Sequence, residues 1–206
     1  MLKPDNSLSA QIERGIFILK GGGVVAFPTD TVYGLGACAD NETAVARIFQ
    51  LKQRPKNVPL PLLLADKAQI SQVALSVPPI AWLLVEKFLP GALTLVLPRA
   101  SAVLDIVTAG GSTVAIRIPA HPVPVAFARE LGPIAATSAN LSGQPSALTA
   151  AEVRTQFGDK IDLVIDGGRC PRGEESTIVD VSEPTPVLLR EGAISREELE
   201  QVCEIK

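Results

Sequence analysis

Apolar residues recur at three- and four-residue spacing over 8–19 (Leu8, Ile12, Gly15, Ile16, Leu19), the period of a helix with one buried face, and Ser7 or Ser9 can cap its start. Gly21, Gly22 and Gly23 end it. The apolar run 24–27 then reads as a buried strand and 29–36 as a polar functional loop closed by Gly34 and Gly36. A helix is expected over 42–51, with Ala44, Val45, Ile48 and Phe49 inward and Asp40 or Asn41 as its cap. A second strand is expected over 60–64, its beginning placed at an edge or a bend by Pro59 and Pro61. Helix 80–88 and strand 93–97 follow. In 114–118 the alternation sets Arg117 on the face opposite Ile116 and Ile118, so Arg117 is not core filler.

The second half continues in the same manner. A helix over 122–131 leads to a strand over 134–136, which opens into Thr137-Ser-Ala-Asn-Leu-Ser-Gly143, an apolar run giving way to hydroxyls and amides as it does at 24–36. Helix 149–157 carries Thr149 and Glu152 at capping-box spacing, 163–165 leads through a glycine turn to 176–180, and strand 187–189 ends at Arg190. Ser195 then caps a short charged helix. No fixed-period repeat and no convincing linker interrupts this order. The expectation is one domain over 1–206. Its class is α/β: a strongly twisted mixed or largely parallel open sheet flanked by helices, not a simple doubly wound fold.

Composition narrows the picture. At 206 residues with 47% hydrophobic and 20% charged positions, the chain buries a substantial core without staples and is not extensively disordered. The net charge of −3, with no basic run, implies no wide sequence-blind nucleic-acid surface. Cys38, Cys170 and Cys203 lack the close spacing of a zinc site and read as structural thiols. No apolar run reaches membrane-spanning length and no apolar signal segment follows Met1, so a cytoplasmic protein without membrane contact is expected.

Lys52 and Arg54 are separated by one residue, so in an extended segment both can converge on one anion, with Pro55 stopping the preceding helix where they emerge. Lysine offers a mobile point charge and arginine a forked donor. The same pair also fits a solvated helix end. Ser138, Asn140, Ser142 and Ser146 offer hydroxyl and amide ligands, Ser176 and Thr177 a second small-donor cluster, and Arg190 a further cation, although serine clusters also serve as turns and caps. Neither a P-loop nor a dinucleotide fingerprint is present. His121 lies beside Pro122 with no Gly-x-Ser-x-Gly elbow and reads as a helix-start residue rather than a general base. Asp30, Asp166 and Asp180 have no spacing that makes a metal ligand set.

The segments Pro28-Thr-Asp-Thr-Val-Tyr-Gly-Leu-Gly36, Leu51-Lys-Gln-Arg-Pro55, Ser112-Thr-Val-Ala-Ile-Arg-Ile-Pro119, Thr137-Ser-Ala-Asn-Leu-Ser-Gly143, Glu175-Ser-Thr-Ile-Val-Asp180 and Arg190-Glu-Gly192 resemble, in order and spacing, the threonylcarbamoyl-AMP synthase or YrdC-like family. The resemblance implies a twisted sheet around a large basic concavity, and a nucleotidyltransferase that makes threonylcarbamoyl-adenylate from L-threonine, bicarbonate and ATP. Magnesium would arrive with ATP, with no structural metal held by the protein. The product would feed N6-threonylcarbamoyladenosine at position 37 of tRNA through the downstream tRNA threonylcarbamoyl transferase machinery.

By the same resemblance Thr31, Arg117 and Ser176 would face threonine. Arg54, Thr113, Ser138, Asn140, Ser146 and Arg190 would face the nucleotide, with Lys52 and Arg54 the catalytic cations. Two positions depart from the family pattern: Val58 stands at a usual nucleotide-facing asparagine and Leu63 at a usual threonine-facing histidine. The alternative is a noncatalytic or repurposed YrdC-like protein that binds tRNA or double-stranded RNA. Aromatics at 4% leave phosphate and shape as its means of recognition.

Overall fold

The computed structural model describes residues 6–206. The reading of the extreme N-terminus lies partly outside them. Helix α1 (Leu8–Lys20) starts where Ser7 Oγ accepts from Ala10 N and stops at Gly21. Strand β1 (Val25–Phe27) follows, and the last three residues of the expected polar loop already belong to a strand, β2 (Gly34–Cys38), in which Leu35 and Ala37 are fully buried. Helix α2 (Glu42–Lys52) is capped by Asn41 and buries the four predicted residues. The remaining strands are β3 (Leu62–Leu63), β4 (Leu93–Pro98), β5 (Thr113–Arg117), β6 (Ile134–Ser138), β7 (Leu163–Val164), β8 (Thr177–Asp180) and β9 (Val187–Arg190). The remaining helices are α3 (Ile70–Val73), α4 (Pro79–Phe88), α5 (Asp105–Thr108), α6 (Pro122–Leu131), α7 (Ala150–Phe157) and α8 (Arg196–Glu200).

All strands join one nine-stranded open sheet in the order β7-β1-β2-β6-β3-β5-β4-β8-β9. It is mixed, with five antiparallel and three parallel pairings. β3 corrects the expectation of an edge or bend: it lies at the centre, between β6 and β5. The prolines do not prevent this because Pro61 contributes only its carbonyl, which accepts from Ala136 N at 3.0 Å.

Helices cover both faces. The larger core packs α2, α4, α7 and α8 against one side. On the other side α1 and α6 close over Val25, Phe27, Leu63, Ile134 and Ala136. Here Phe27 meets Phe127 edge to face at 5.4 Å, and a Cβ on Gly15 would sit 2.7 Å from the Phe127 ring. These two helices cover β1, β2, β6 and β3 only in part, and the rest of that face stays open.

Candidate active site

Strand register builds the floor of a cleft of about 550 Å3 on this open face. Arg190 on β9 stands opposite Ile178 on β8, Ile178 opposite Thr94 on β4, and Val96 opposite Ala115 on β5. Arg117 on β5 stands opposite Leu63 on β3, and on the far side Ser138 on β6 stands opposite Gly34 on β2. Alternation then puts all of these side chains on one face. Between Arg117 and Arg190 the floor is small or apolar, and two further cations, Lys52 and Arg54, line the cleft.

Arg117 is buried and held on three sides: Nε donates to Gly91 O at 2.9 Å, Nη1 to Thr31 Oγ1 at 2.9 Å and Nη2 to Asp30 Oδ1 at 2.6 Å. Each terminal nitrogen keeps a second N–H, the arrangement that grips a carboxylate with two parallel bonds. Thr31 Oγ1 in turn lies 2.9 Å from Thr29 Oγ1, so the hydroxyls on this turn brace the guanidinium. Tyr33, in the same segment, donates its hydroxyl to Gly168 O at 2.9 Å, and burial lifts its pKa to about 12.

Lys52 and Arg54 both line the cleft, but a helix end brings them together rather than an extended segment. Gln53 adopts a left-handed conformation (φ 53°) that closes α2, so Lys52 stays in the last turn and Arg54 leaves beyond it. The Lys52 ammonium is not a mobile charge. Its Nζ donates to Ser138 O at 2.5 Å, Asn140 O at 2.6 Å and Asn140 Oδ1 at 3.2 Å. Burial and the neighbouring Arg54 pull its pKa down to about 8, yet the three acceptors require all three protons of the ammonium. Arg54 is anchored by Nε to Val58 O at 3.2 Å and by Nη2 to Pro59 O at 3.0 Å.

Asn140 braces the turn that carries Ser138, its amide donating to Leu141 O and Gln144 O while its oxygen accepts from Lys52. Ser138, Asn140 and Ser142 line the cleft; Ser146 is outside the lining residues and donates to Glu175 Oε1 at 2.8 Å. Thr113, at the start of β5, lies outside the lining residues. Ser176 Oγ lies 2.8 Å from Thr94 Oγ1, and its carbonyl accepts from Arg190 Nε at 3.1 Å and Nη2 at 2.7 Å. Thr177 belongs to the scaffold, donating to Ile194 O and accepting from Gly192 N and Ile194 N.

Glu175 and Thr94 are lining residues that sequence reasoning did not single out. Glu175 pairs with Arg190, and its place directly before Ser176 was the available signal. Both departures from the family pattern also line the cleft: Leu63 is buried beside Arg117, and Val58 is exposed at its edge. His121 caps α6, its Nδ1 accepting from Val123 N, and burial lowers its pKa against the pull of Asp30. Asp166 and Asp180 accept from nearby turn residues, and the three cysteines are free. Among the described residues no three His, Cys, Asp or Glu side chains gather around a metal position, and no helix is long and apolar enough to cross a membrane.

Such a sheet and cleft place the chain among α/β proteins with a mixed, helix-flanked sheet, the class to which the Sua5_yciO_yrdC family, described as telomere recombination, belongs. The family model matches residues 17–192, and the chain belongs to this family. Its relatives include the threonylcarbamoyl-AMP synthase of Pyrococcus abyssi, 47% identical over 186 residues, covering 89% of this chain and 54% of the relative. That of Bacillus subtilis is 46% identical over 194 residues, covering 93% and 56%. The chain thus spans about half the length of the curated relatives it matches. The crystal structure of P. abyssi Sua5 complexed with L-threonine shares the fold with a TM-score of 0.92 at 44% identity, over 97% of this chain and 60% of that one. E. coli YciO gives 0.81 at 28% identity, over 93% and 92%.

Proposed function

We propose that this chain makes L-threonylcarbamoyl-adenylate from L-threonine, bicarbonate and MgATP. The observation that carries the reading is one cleft with two sets of cationic donors. Arg117, braced by Asp30 and Thr31, keeps two N–H groups for a carboxylate, while Lys52, Arg54 and Arg190 are coupled through Glu175. Threonine would lie at Arg117, near Ser176, with Leu63 against its methyl group. The nucleotide phosphates would lie near Lys52, Arg54, Ser138 and Arg190. Asn140 and Ser146 would act on the phosphates through Lys52 and Glu175, and Thr113 on the nucleotide from outside the lining. Glu175 is the single carboxylate lining the cleft among the described residues, a donor set that fits magnesium carried in on ATP rather than a resident ion.

The chemistry asks for positioning and charge rather than a protein nucleophile. The threonine amine adds to bicarbonate carbon, the amine proton leaves with a hydroxyl as water, and a carbamate remains. A carbamate oxygen then attacks the α-phosphate in line with the bond to the leaving diphosphate. Arg54 and Arg190 stabilise charge as it gathers on the phosphoryl oxygens, and Lys52 adds a fixed ammonium. The adenylate would pass to tRNA threonylcarbamoyl transferase machinery for modification of position 37.

The test is mass spectrometry of a reaction containing purified protein, MgATP, L-threonine and bicarbonate. Threonylcarbamoyl-adenylate and diphosphate are expected in equal amounts. Folded protein that yields neither, where the P. abyssi relative is active, overturns the reading. The apolar Val58 and Leu63 in the lining favour, as the second reading, a repurposed cleft that binds RNA without catalysis. Retention of tRNA or double-stranded RNA by such inactive protein would support it.

A further inference from the structure

Glu175 is a lone carboxylate among four cations, Lys52, Arg54, Arg117 and Arg190, in the lining of the cleft. Its position is built from several directions. Ser146 donates its hydroxyl to Oε1 at 2.8 Å, and Arg190 Nη1 pairs with Oε2. Lys52 and Arg54 lie within its electrostatic reach. The backbone is fixed as well: Ala193 N donates to Glu175 O at 2.9 Å, and Gly192 approaches so closely that a Cβ there would sit 2.3 Å from the same oxygen.

Arg190 is divided between two residues, Ser176 and Glu175. Nε and Nη2 go to the Ser176 carbonyl, and Nη1, the terminal nitrogen that this carbonyl does not engage, goes to Glu175. Burial alone would raise the pKa of Glu175, but Arg190, Ser146, Ser138 and Lys52 outweigh it and hold the group below the usual carboxylate range. It is an anion at neutral pH, seated where a polyphosphate would find its counterions.

We propose that Glu175 is a built-in stand-in for a phosphate group, neutralising the Arg190 end of the cleft when it is empty and competing with an entering polyphosphate for that arginine. This rests on reading that end of the cleft as a polyphosphate site, but not on the threonine chemistry. Two anions on one guanidinium repel each other, so the carboxylate weakens polyphosphate binding below what the cations alone would give. Diphosphate, the product that must leave, is then released faster, and Glu175 is a selectivity residue for how strongly the cleft retains it.

The test is calorimetric titration of inorganic diphosphate into the full chain at low ionic strength. Glu175→Gln keeps an oxygen for Arg190, turns its NH2 to Ser146, whose hydroxyl can accept, and removes the charge. It is expected to bind diphosphate at least about tenfold more tightly than the wild type, with L-threonine affinity unchanged. Glu175→Asp, which retains the charge, should stay near the wild type, and Glu175→Ala should tighten like the amide, so the result does not hang on one variant. Unchanged or weaker diphosphate binding in folded Glu175→Gln and Glu175→Ala overturns the inference. Adenylate synthesis by the wild type alongside that result would leave the proposed function standing. Tighter diphosphate binding in the variants with no adenylate from any protein supports the inference and removes the proposed function.

Discussion

Arg117 and Asp30 are both buried, and their pair decides more about placement than about net stability. Taking two charges out of water costs about as much as their attraction returns, whereas removing one partner strands the other. Asp30 Oδ1 accepts from Arg117 Nη2 and from Ala120 N, while Oδ2 is a buried oxygen with no partner among the described residues, so the carboxylate is already only partly satisfied. Asp30→Asn is expected to lower the unfolding free energy by about 3 kcal/mol and to weaken L-threonine binding by releasing the guanidinium. Urea denaturation and calorimetry measure the two effects, and a variant as stable as the wild type would show that the pair holds no charge in place. The importance of Arg117 was legible from its alternation against Ile116 and Ile118. The state of Lys52 was not. Residue type announces a cation, but the carbonyls that hold it come from Ser138 and Asn140, 86 and 88 positions away.

At the scale of elements, the longer helices were legible because their signals are local, whereas the four-residue α3 and α5 are too short to show a period. The ends of α6, the inward face of α2 and the Ser195 cap of α8 all follow from residues within a few turns. β3 was misplaced because two residues carry no pattern of their own; they become a strand only through partners on β5 and β6. Gly192 is a subtler case, a glycine required by close approach rather than by its dihedral angles. Its missing Cβ would meet backbone atoms of Glu175 and Ser176, which have no rotamer through which to yield. Gly192→Ala is therefore expected to cost about 1–3 kcal/mol and, by displacing Ser176 and with it the Arg190 guanidinium that its carbonyl holds, to weaken diphosphate binding. Gly132→Ala is the control: with φ 82°, ψ −169° and nothing within 4 Å, it should cost about 1–3 kcal/mol of backbone strain and leave binding intact. Equal diphosphate binding in the two variants would show that the close approach has no consequence for the site.

The whole molecule joins positions far apart in the chain, and here sequence reasoning stopped. Neither strand order nor register can be read from alternation, so the neighbourhood of Arg190, Ile178 and Thr94, or of Arg117 and Leu63, exists only in the folded sheet. A ligand seated on that floor stabilises the entire fold, by about 2.7 kcal/mol when ATP stands at about a hundred times its Kd. Lys52 gives this increment a pH dependence. Its folded pKa of about 8 lies below the ordinary 10.5, so between these values the unfolded chain keeps a proton that the folded chain has released. The unliganded protein therefore gains stability from this group as pH rises through that window, and loses it as pH falls through about 8. A bound polyphosphate holds the proton on Lys52, and the complex forgoes that gain. The rise in melting temperature produced by ATP is thus expected to be constant below pH of about 8 and to shrink above it, and to be small and flat in Lys52→Met. Thermal denaturation with and without ATP across that range measures it, and an increment that does not shrink in the wild type would mean that the Lys52 charge does not reach the phosphates.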